Sequence, residues 1–269
     1  MKIMTLNVLL GGEDRFEALR TIISAERPDL LVLQECVGWE DGVRLRAVAE
    51  VMGVPADGKH TILGRANARS SGRRYNVCVV SRAPILRQRV HTPPTLAHCI
   101  VEAELAWPDA DEPLLLLATH LVHSDEDSRL TEVGELLALA PPELLATRPC
   151  VLAGDLNALD RDDPYPTDLD HRLTAAGMHK YGHPPRFEAM DRLHTAGWID
   201  ALRTRPRSHR WVTAQRNRGT APVDTRTDYI LLSPPLAPRL AGAEVIDVGS
   251  ASDHHALVAE LSWGDHPLT

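Results

Sequence analysis

The chain is built from short apolar runs separated by polar punctuation, and the runs follow two different periods. Lys2–Val8, Leu30–Leu33, Asn76–Val80, Leu114–Ala118, Cys150–Ala153, Asp228–Leu232, Ala243–Val248 and His255–Leu261 are brief and rich in Val, Ile and Leu, which predicts buried strands. Ile85–Val90 and Ala97–Ala106 predict two more. Between them, Phe16, Leu19, Ile22 and Ile23 recur at helical spacing and predict a helix over Asp14–Ala25, and Gly42–Val51 predicts a second. A third is expected to start at Ser124 as N-cap, with Asp125, Glu126 and Asp127 in its first turn, and to run through Leu130–Leu139 until Pro141-Pro142 stops it. Phe187–Thr195 predicts a short helix closed by Gly197. Asp160–Pro185 has neither period. It is rich in Asp, His and Pro, and it is long enough to serve as a lid.

Strands outnumber helices, and many neighbouring strands are close enough in sequence to pair as hairpins. This predicts an α/β (α+β) fold: a four-layer α/β sandwich of two packed mixed β-sheets flanked by helices, rather than a doubly wound parallel sheet. A chain of 269 residues, 43% hydrophobic, is long enough for one such domain over 1–269. The Pro pairs at 93–94, 141–142, 184–185 and 234–235 read as turns, not as a linker.

The polar residues are not scattered. Asn7, Glu35, His120, Asp155, Asn157, Asp228, Asp253 and His254 all fall at or near strand ends or starts, where a rigid sheet can assemble a site. Taken singly each has a plain structural reading. Asp155 and Asn157 also suit an Asx turn, Asn7 can terminate its strand, and a lone His after a strand is more often structural than catalytic. Asp228, entering an apolar strand, calls for a partner because an unpaired buried charge is costly, and His254 is the natural candidate. Taken together they supply oxygen donors for a hard cation, an orienting amide and titratable imidazoles, the equipment for attacking phosphorus with water.

The net charge of −8 lowers the expectation of a protein that grips long nucleic acid by non-specific backbone contacts. Cys36, Cys78, Cys99 and Cys150 form no C-x-x-C pair and read as buried free thiols. The N-terminal apolar run is too short and polar for a signal peptide, and no stretch approaches the roughly 20 apolar residues of a membrane span, so a soluble cytoplasmic protein is expected. The oligomeric state is left open.

The motifs, in order, are Thr5-Leu6-Asn7, Leu33-Gln34-Glu35, Val80-Ser81-Arg82-Ala83-Pro84-Ile85, Thr119-His120-Leu121, Gly154-Asp155-Leu156-Asn157, Arg226-Thr227-Asp228-Tyr229-Ile230 and Ser252-Asp253-His254. Their sequence and spacing resemble the endonuclease/exonuclease/phosphatase superfamily, with a deoxyribonuclease I-like fold, from Met4 to about Leu261. One departure is Ala256, which stands where the family usually has a Pro. The resemblance implies that Glu35 is the principal Mg²⁺ ligand, with Mn²⁺ as a substitute, helped by Asn7 and Asp253. It implies that Asp155 aligns or deprotonates the attacking water, that Asn157 donates to a phosphate oxygen, that His120 and His254 flank the phosphate, and that Asp228 orients His254. Asp155 and His254 both stay open as the base.

The implied activity is metal-assisted hydrolysis of a phosphate ester. Net charge and the 160–185 insertion favour a small organic phosphate. Two Arg-rich loops, one with Arg65, Arg69, Arg73 and Arg74 and one with Arg203, Arg205, Arg207, Arg210, Trp211, Arg216 and Arg218, favour nucleic acid, with the arginines clamping phosphates and Trp211 stacking on a base or sugar. A non-catalytic binding module on the same fold is a third reading, weakened because none of the main set is replaced.

Overall fold

The computed structural model describes residues 1–107, 112–208, 210–215 and 223–262. In chain order the strands are β1 (Lys2–Asn7), β2 (Leu30–Gln34), β3 (Thr61–Gly64), β4 (Val77–Ser81), β5 (Ile85–His91), β6 (Ile100–Leu105), β7 (Leu114–His120), β8 (Cys150–Asp155), β9 (Ile199–Asp200), β10 (Ala214–Gln215), β11 (Asp224–Thr225), β12 (Asp228–Leu232), β13 (Leu240–Ile246) and β14 (Ala256–Leu261). The helices are α1 (Phe16–Glu26), α2 (Val43–Met52), α3 (Glu126–Leu139), α4 (Pro142–Leu145), α5 (Leu169–Ala175), α6 (Glu188–Thr195) and α7 (Ala201–Thr204). One six-stranded sheet runs β13-β14-β1-β2-β4-β3 and the other β5-β6-β7-β8-β12-β9. Each holds a single parallel pair, β1 with β2 and β7 with β8, among antiparallel neighbours.

Three apolar layers explain why the central strands are apolar on both faces. Ile3, Leu30, Val32, Val79, Leu116, Ala118, Val151, Ala153, Ile230 and Leu257 pack between the sheets. Met4, Leu6, Leu31 and Leu33 face outward onto Leu19 and Ile23 of α1 and Val48 and Met52 of α2. Leu115, Leu117, Leu152, Tyr229 and Leu231 face outward onto Val133 and Leu136 of α3 and Met190 and Leu193 of α6. This is the expected four-layer sandwich, and the four cysteines are buried and free.

Local chemistry shifts two boundaries. The N-cap of α3 is Asp125, not Ser124, because the Asp125 carboxylate accepts the Ser128 N–H at 2.8 Å. The Pro pair that ends α3 also opens α4, with Pro142 as its first helical residue, where its missing N–H costs nothing. Strand β3 was not expected from the sequence: its four residues carry too little pattern to register.

Residues 160–185 are ordered rather than irregular. They carry α5 and a 3₁₀ turn at His179–Tyr181, and Leu169, Leu173, Met178 and Tyr181 close a small core with Leu159 and Val223. Arg226 staples this unit to the sandwich. Its fully buried guanidinium donates to both carboxylate oxygens of Asp163 at 3.0 Å and to Asp200 at 2.5 Å, reaches Asp160 at 3.4 Å, and lies over the Tyr229 ring at 4.4 Å. Replacing Arg226 with Met leaves the buried carboxylates of Asp163 and Asp200 without their close cation, while Asp160 keeps His194 at 2.9 Å. Urea unfolding is expected to show a loss of about 3–5 kcal/mol. A loss below about 1 kcal/mol, the range of an exposed pair, would contradict the staple.

Candidate active site

Side chains alternate faces along a strand, so parity decides which polar residue looks where. In β1, Ile3 points between the sheets, and so therefore do Thr5 and Asn7. The same count from Leu116 and Ala118 places His120 inward, from Val151 and Ala153 it places Asp155 inward, and from Ile230 and Leu232 it places Asp228 inward. Register then aligns them. His120 is the partner of Asp155 in the parallel pair, and Asp155 is the partner of Asp228 in the antiparallel one. His120, Asp155 and Asp228 thus form one row across three strands. Asn7 ends β1 in the facing sheet, and the chain enters β14 beside it through Ser252-Asp253-His254. The Ser252 hydroxyl fixes that approach by donating to the Asn7 carbonyl at 2.6 Å.

Two residues leave their strands with left-handed backbones, Glu35 at φ 58° and Asn157 at φ 49°. Asn tolerates this conformation, whereas for Glu it is strain of the kind that gathers at functional sites. Glu35 is turned back toward Asn7 and the Leu10 amide, which its carboxylate accepts at 3.3 and 3.0 Å.

The centre is the Asp155 carboxylate. Its Oδ1 accepts the Asn157 N–H at 2.9 Å, and its Oδ2 accepts the Asn7 amide at 3.1 Å. The same Oδ2 lies 3.5 Å from His120 Nε2 and 3.8 Å from His254 Nε2. On its far side, His254 Nδ1 is 2.8 Å from Asp228. Asp155, Asp228 and His254 present ligand atoms all within 4.8 Å of one another. A cleft of about 1030 Å³ opens onto this centre, lined by Glu35, His120, Asp155, Asn157, Asp253 and His254 together with Arg15, Arg69, Tyr75, His98 and His123.

The sequence matches the model of the Endonuclease/Exonuclease/phosphatase family over residues 4–254. The chain belongs to this family. Its members are hydrolytic phosphoesterases and nucleases that use divalent metal ions, and the chain is an enzyme of that class. Similar folds include an AP endonuclease from Archaeoglobus fulgidus, with 20% identity and a TM-score of 0.68 over 98% of this chain and 100% of that one. The 3′ phosphatase NExo from Neisseria, bound to product DNA hairpin, has 21% identity and a TM-score of 0.69 over 98% and 100%. Truncated TDP2 from Caenorhabditis elegans has 19% identity and a TM-score of 0.60 over 96% of each chain. At these identities the likeness speaks for the fold. No curated protein matches the sequence. Among the described residues no helix is long and apolar enough to cross a membrane.

Of the residues singled out from the sequence, Asn7, Glu35, His120, Asp155, Asn157, Asp228, Asp253 and His254 come together here. Arg73, Arg74, Arg210 and Trp211 do not line the cleft. Arg73 is exposed, and Arg74 donates to the Ala66 carbonyl at 2.5 Å. Arg210 pairs with Asp247 at 2.8 Å and meets His255 Nε2 at 3.1 Å, and Trp211 stands edge-on to Tyr165 with ring centroids 5.2 Å apart. Arg216 and Arg218 lie outside the described residues. No residue of 160–185 lines the cleft either.

A further wall is made of Arg69, from the first Arg-rich loop, with Tyr75, His98 and His123, and of these sequence reasoning missed the two histidines. His98 stacks on His120 with ring centroids 4.4 Å apart, Tyr75 tilts against His98 at 5.5 Å, and Arg69 approaches His123 at 3.3 Å. The buried Glu132 carboxylate sets their loops by accepting the N–H groups of Ala97 and Val122, each at 2.6 Å. The only available signal was the clustering of His and Arg just outside strands.

Electrostatics separate the groups. Burial alone would raise the Asp155 carboxyl, but His254 foremost, with Lys180 and the Asn157 N–H, outweighs it and holds the carboxyl below the usual carboxylate range. Burial drives Asp228 upward, and the nearby imidazole offsets this only in part. Burial opposes a charge on His254, yet Asp228 and Asp155 push its imidazole up to about 10. Burial, with His120, Arg69 and His123 beside it, pushes His98 down.

The donor set fits a divalent cation. Among the described residues the buried Oδ1 of Asp253 has no hydrogen-bond partner, and Glu35 offers a half-buried carboxylate at the rim. In the tighter trio, His254 Nδ1 and Asp228 already bond to each other.

His254 binds its proton more tightly in the folded chain than in the unfolded one. Its contribution to stability is full below about pH 6.5 and is lost as the pH rises towards 10. Unfolding free energies measured from pH 6.5 to 9 should therefore fall with pH more steeply in wild type than in His254→Gln. The difference should approach about 1.4 kcal/mol per pH unit, one proton's worth. Equal slopes would mean that His254 does not hold its proton.

Proposed function

We propose that the protein is a Mg²⁺-dependent phosphoester hydrolase, with Mn²⁺ able to substitute, acting on a compact organic phosphate. The observation that carries this reading is the convergence on Asp155 Oδ2 of the Asn7 amide and two imidazoles, at 3.1, 3.5 and 3.8 Å. Glu35 and Asp253, with Asn7 beside them, would hold the ion. Bound there, a divalent ion supplies Lewis-acid polarisation of a phosphoryl oxygen. Asp155, kept ionised by its neighbours, orients a water and takes its proton. His254, held as a cation by Asp228, faces the negative charge that develops on phosphorus-bound oxygen. This assigns the base to Asp155 and the acid to His254, two groups whose surroundings drive them apart.

A small substrate is favoured by the supply of cations. Arg15 lines the cleft but donates to the carbonyls of Val8, Leu9 and Ala251, which leaves Arg69 as the other guanidinium among the described residues that line it. A track for a long polyanion calls for more. Cleavage at a nucleic-acid end is the second reading, favoured by the likeness to the 3′ phosphatase bound to a DNA hairpin product.

Purified protein assayed on phosphomonoesters, phosphodiesters and supercoiled plasmid should hydrolyse a small ester, lose activity in EDTA and regain it with Mg²⁺. Glu35→Ala and His254→Ala should each lower kcat by about 10²–10⁴-fold. Hydrolysis indifferent to EDTA and to both substitutions would sink the reading. Plasmid nicking at low enzyme, with no small ester turned over, would favour the nucleic-acid alternative.

A further inference from the structure

The 160–185 insertion does not cover the cleft, yet one of its side chains reaches the catalytic centre from behind. Lys180, in the 3₁₀ turn His179–Tyr181, donates from Nζ to Asn157 Oδ1 at 2.8 Å. Its ammonium also sits over the Tyr181 ring at 4.7 Å, and Tyr181 is buried in the insertion's own core. The backbone at this point is clamped as well. Arg129, fully buried in α3 and paired with Glu126 at 2.8 Å, donates to the Lys180 carbonyl at 2.5 Å. A long, flexible side chain is thereby aimed at one amide oxygen.

We propose that Lys180 is a positioning residue for the hydrolysis, acting through Asn157 on His120; the proposal rests on the phosphoesterase reading of this site. An ammonium can only donate and the Leu121 carbonyl can only accept, so the two together fix which end of the Asn157 amide is oxygen. The other end, Nδ2, then faces two acceptors, the Leu121 carbonyl at 3.0 Å and His120 Nε2 at 3.1 Å. Both amide hydrogens are used, and His120 must accept at Nε2, so its ring hydrogen is on Nδ1. Stacking on His98 holds the plane of the ring. His120 therefore shows an unprotonated nitrogen to the Asp155 carboxylate, while His254 shows it a proton from the other side. Lys180 also places a positive charge close enough to favour ionised Asp155.

This gives the insertion a function other than that of a lid. Its small core and the Arg226 staple hold the 3₁₀ turn rigidly enough for one ammonium to set the polarity of the amide, and through it the tautomer of His120. Side chains that fix the orientation of a catalytic group in this way typically matter by one to two orders of magnitude.

The test uses the full chain, with ¹⁵N-labelled histidine and without metal, to read the His120 ring nitrogens directly. In wild type and Lys180→Arg, Nε2 should carry the signal of an unprotonated nitrogen; in Lys180→Met the amide oxygen loses its donor, the Leu121 carbonyl alone holds the amide's polarity, and the signal should move toward the other tautomer. In parallel, Mg²⁺-dependent turnover of bis(p-nitrophenyl) phosphate should fall about tenfold in kcat for Lys180→Met, with KM within about twofold, and Lys180→Arg should recover most of it. An unchanged His120 signal in Lys180→Met overturns the proposal whatever the turnover. An unchanged kcat in Lys180→Met, where Glu35→Ala and His254→Ala are inactive, overturns it and leaves the phosphoesterase reading intact. Turnover unaffected by Glu35→Ala and His254→Ala as well would remove that reading instead, and the nitrogen signal would still decide what Lys180 does.

Discussion

Everything at the site depends on how closely β7 and β8 approach at their ends. Thr119 and Gly154 are register partners in this parallel pair, and a Cβ at position 154 would lie 1.9 Å from the Thr119 carbonyl oxygen. Gly154 has φ 149°, a conformation that side-chain-bearing residues rarely adopt, so glycine is needed for both space and backbone. Because the pair stays closed to its last residues, His120 and Asp155 stand side by side, and β12 adds Asp228 in line. The Gly of Gly-Asp-Leu-Asn is therefore as necessary to the arrangement as the acid that follows it.

The same closeness creates an electrostatic problem that the site turns to use. Asp155 and Asp228 are buried and adjacent, and two buried carboxylates repel. His254 sits against both and carries the compensating charge. The outcome is a carboxylate held ionised next to an imidazole held protonated, a pair already poised before any substrate arrives. Such arrangements stabilise the fold only while the imidazole keeps its proton. Their value lies in fixed polarity, which is what stabilises charge during reaction.

Much of this was legible in the sequence. The two-layered apolar runs called for two packed sheets, and Asn7, Glu35, His120, Asp155, Asp228 and His254 stood out as polar residues at strand ends. Strand parity, counted from Ile3, Leu116, Val151 and Ile230, places Asn7, His120, Asp155 and Asp228 between the sheets. What was not legible came from loops, where no period relates distant residues. Arg69, Tyr75, His98 and His123 meet because Glu132 and the Asn67 amide, which donates to Pro93 and Leu96, pin their loops together. Arg73, Arg74, Arg210 and Trp211 drew attention through composition, but each arginine turns to the acceptor or solvent nearest it, and Trp211 packs on Tyr165. The 160–185 segment lacked period because its core is small and its fastening is ionic, through Arg226.

The central claim is that Glu35 and Asp253 hold a cation beside a phosphate that sits against Asp155 and His254. A crystal grown with Mn²⁺ and inorganic phosphate, measured at the manganese edge, addresses it most directly. The expected result is one anomalous peak touching the Glu35 carboxylate, with a phosphate oxygen between it and His254. A peak lodged instead among Asp155, Asp228 and His254 with Glu35 unligated, or no peak in the cleft, would contradict the account.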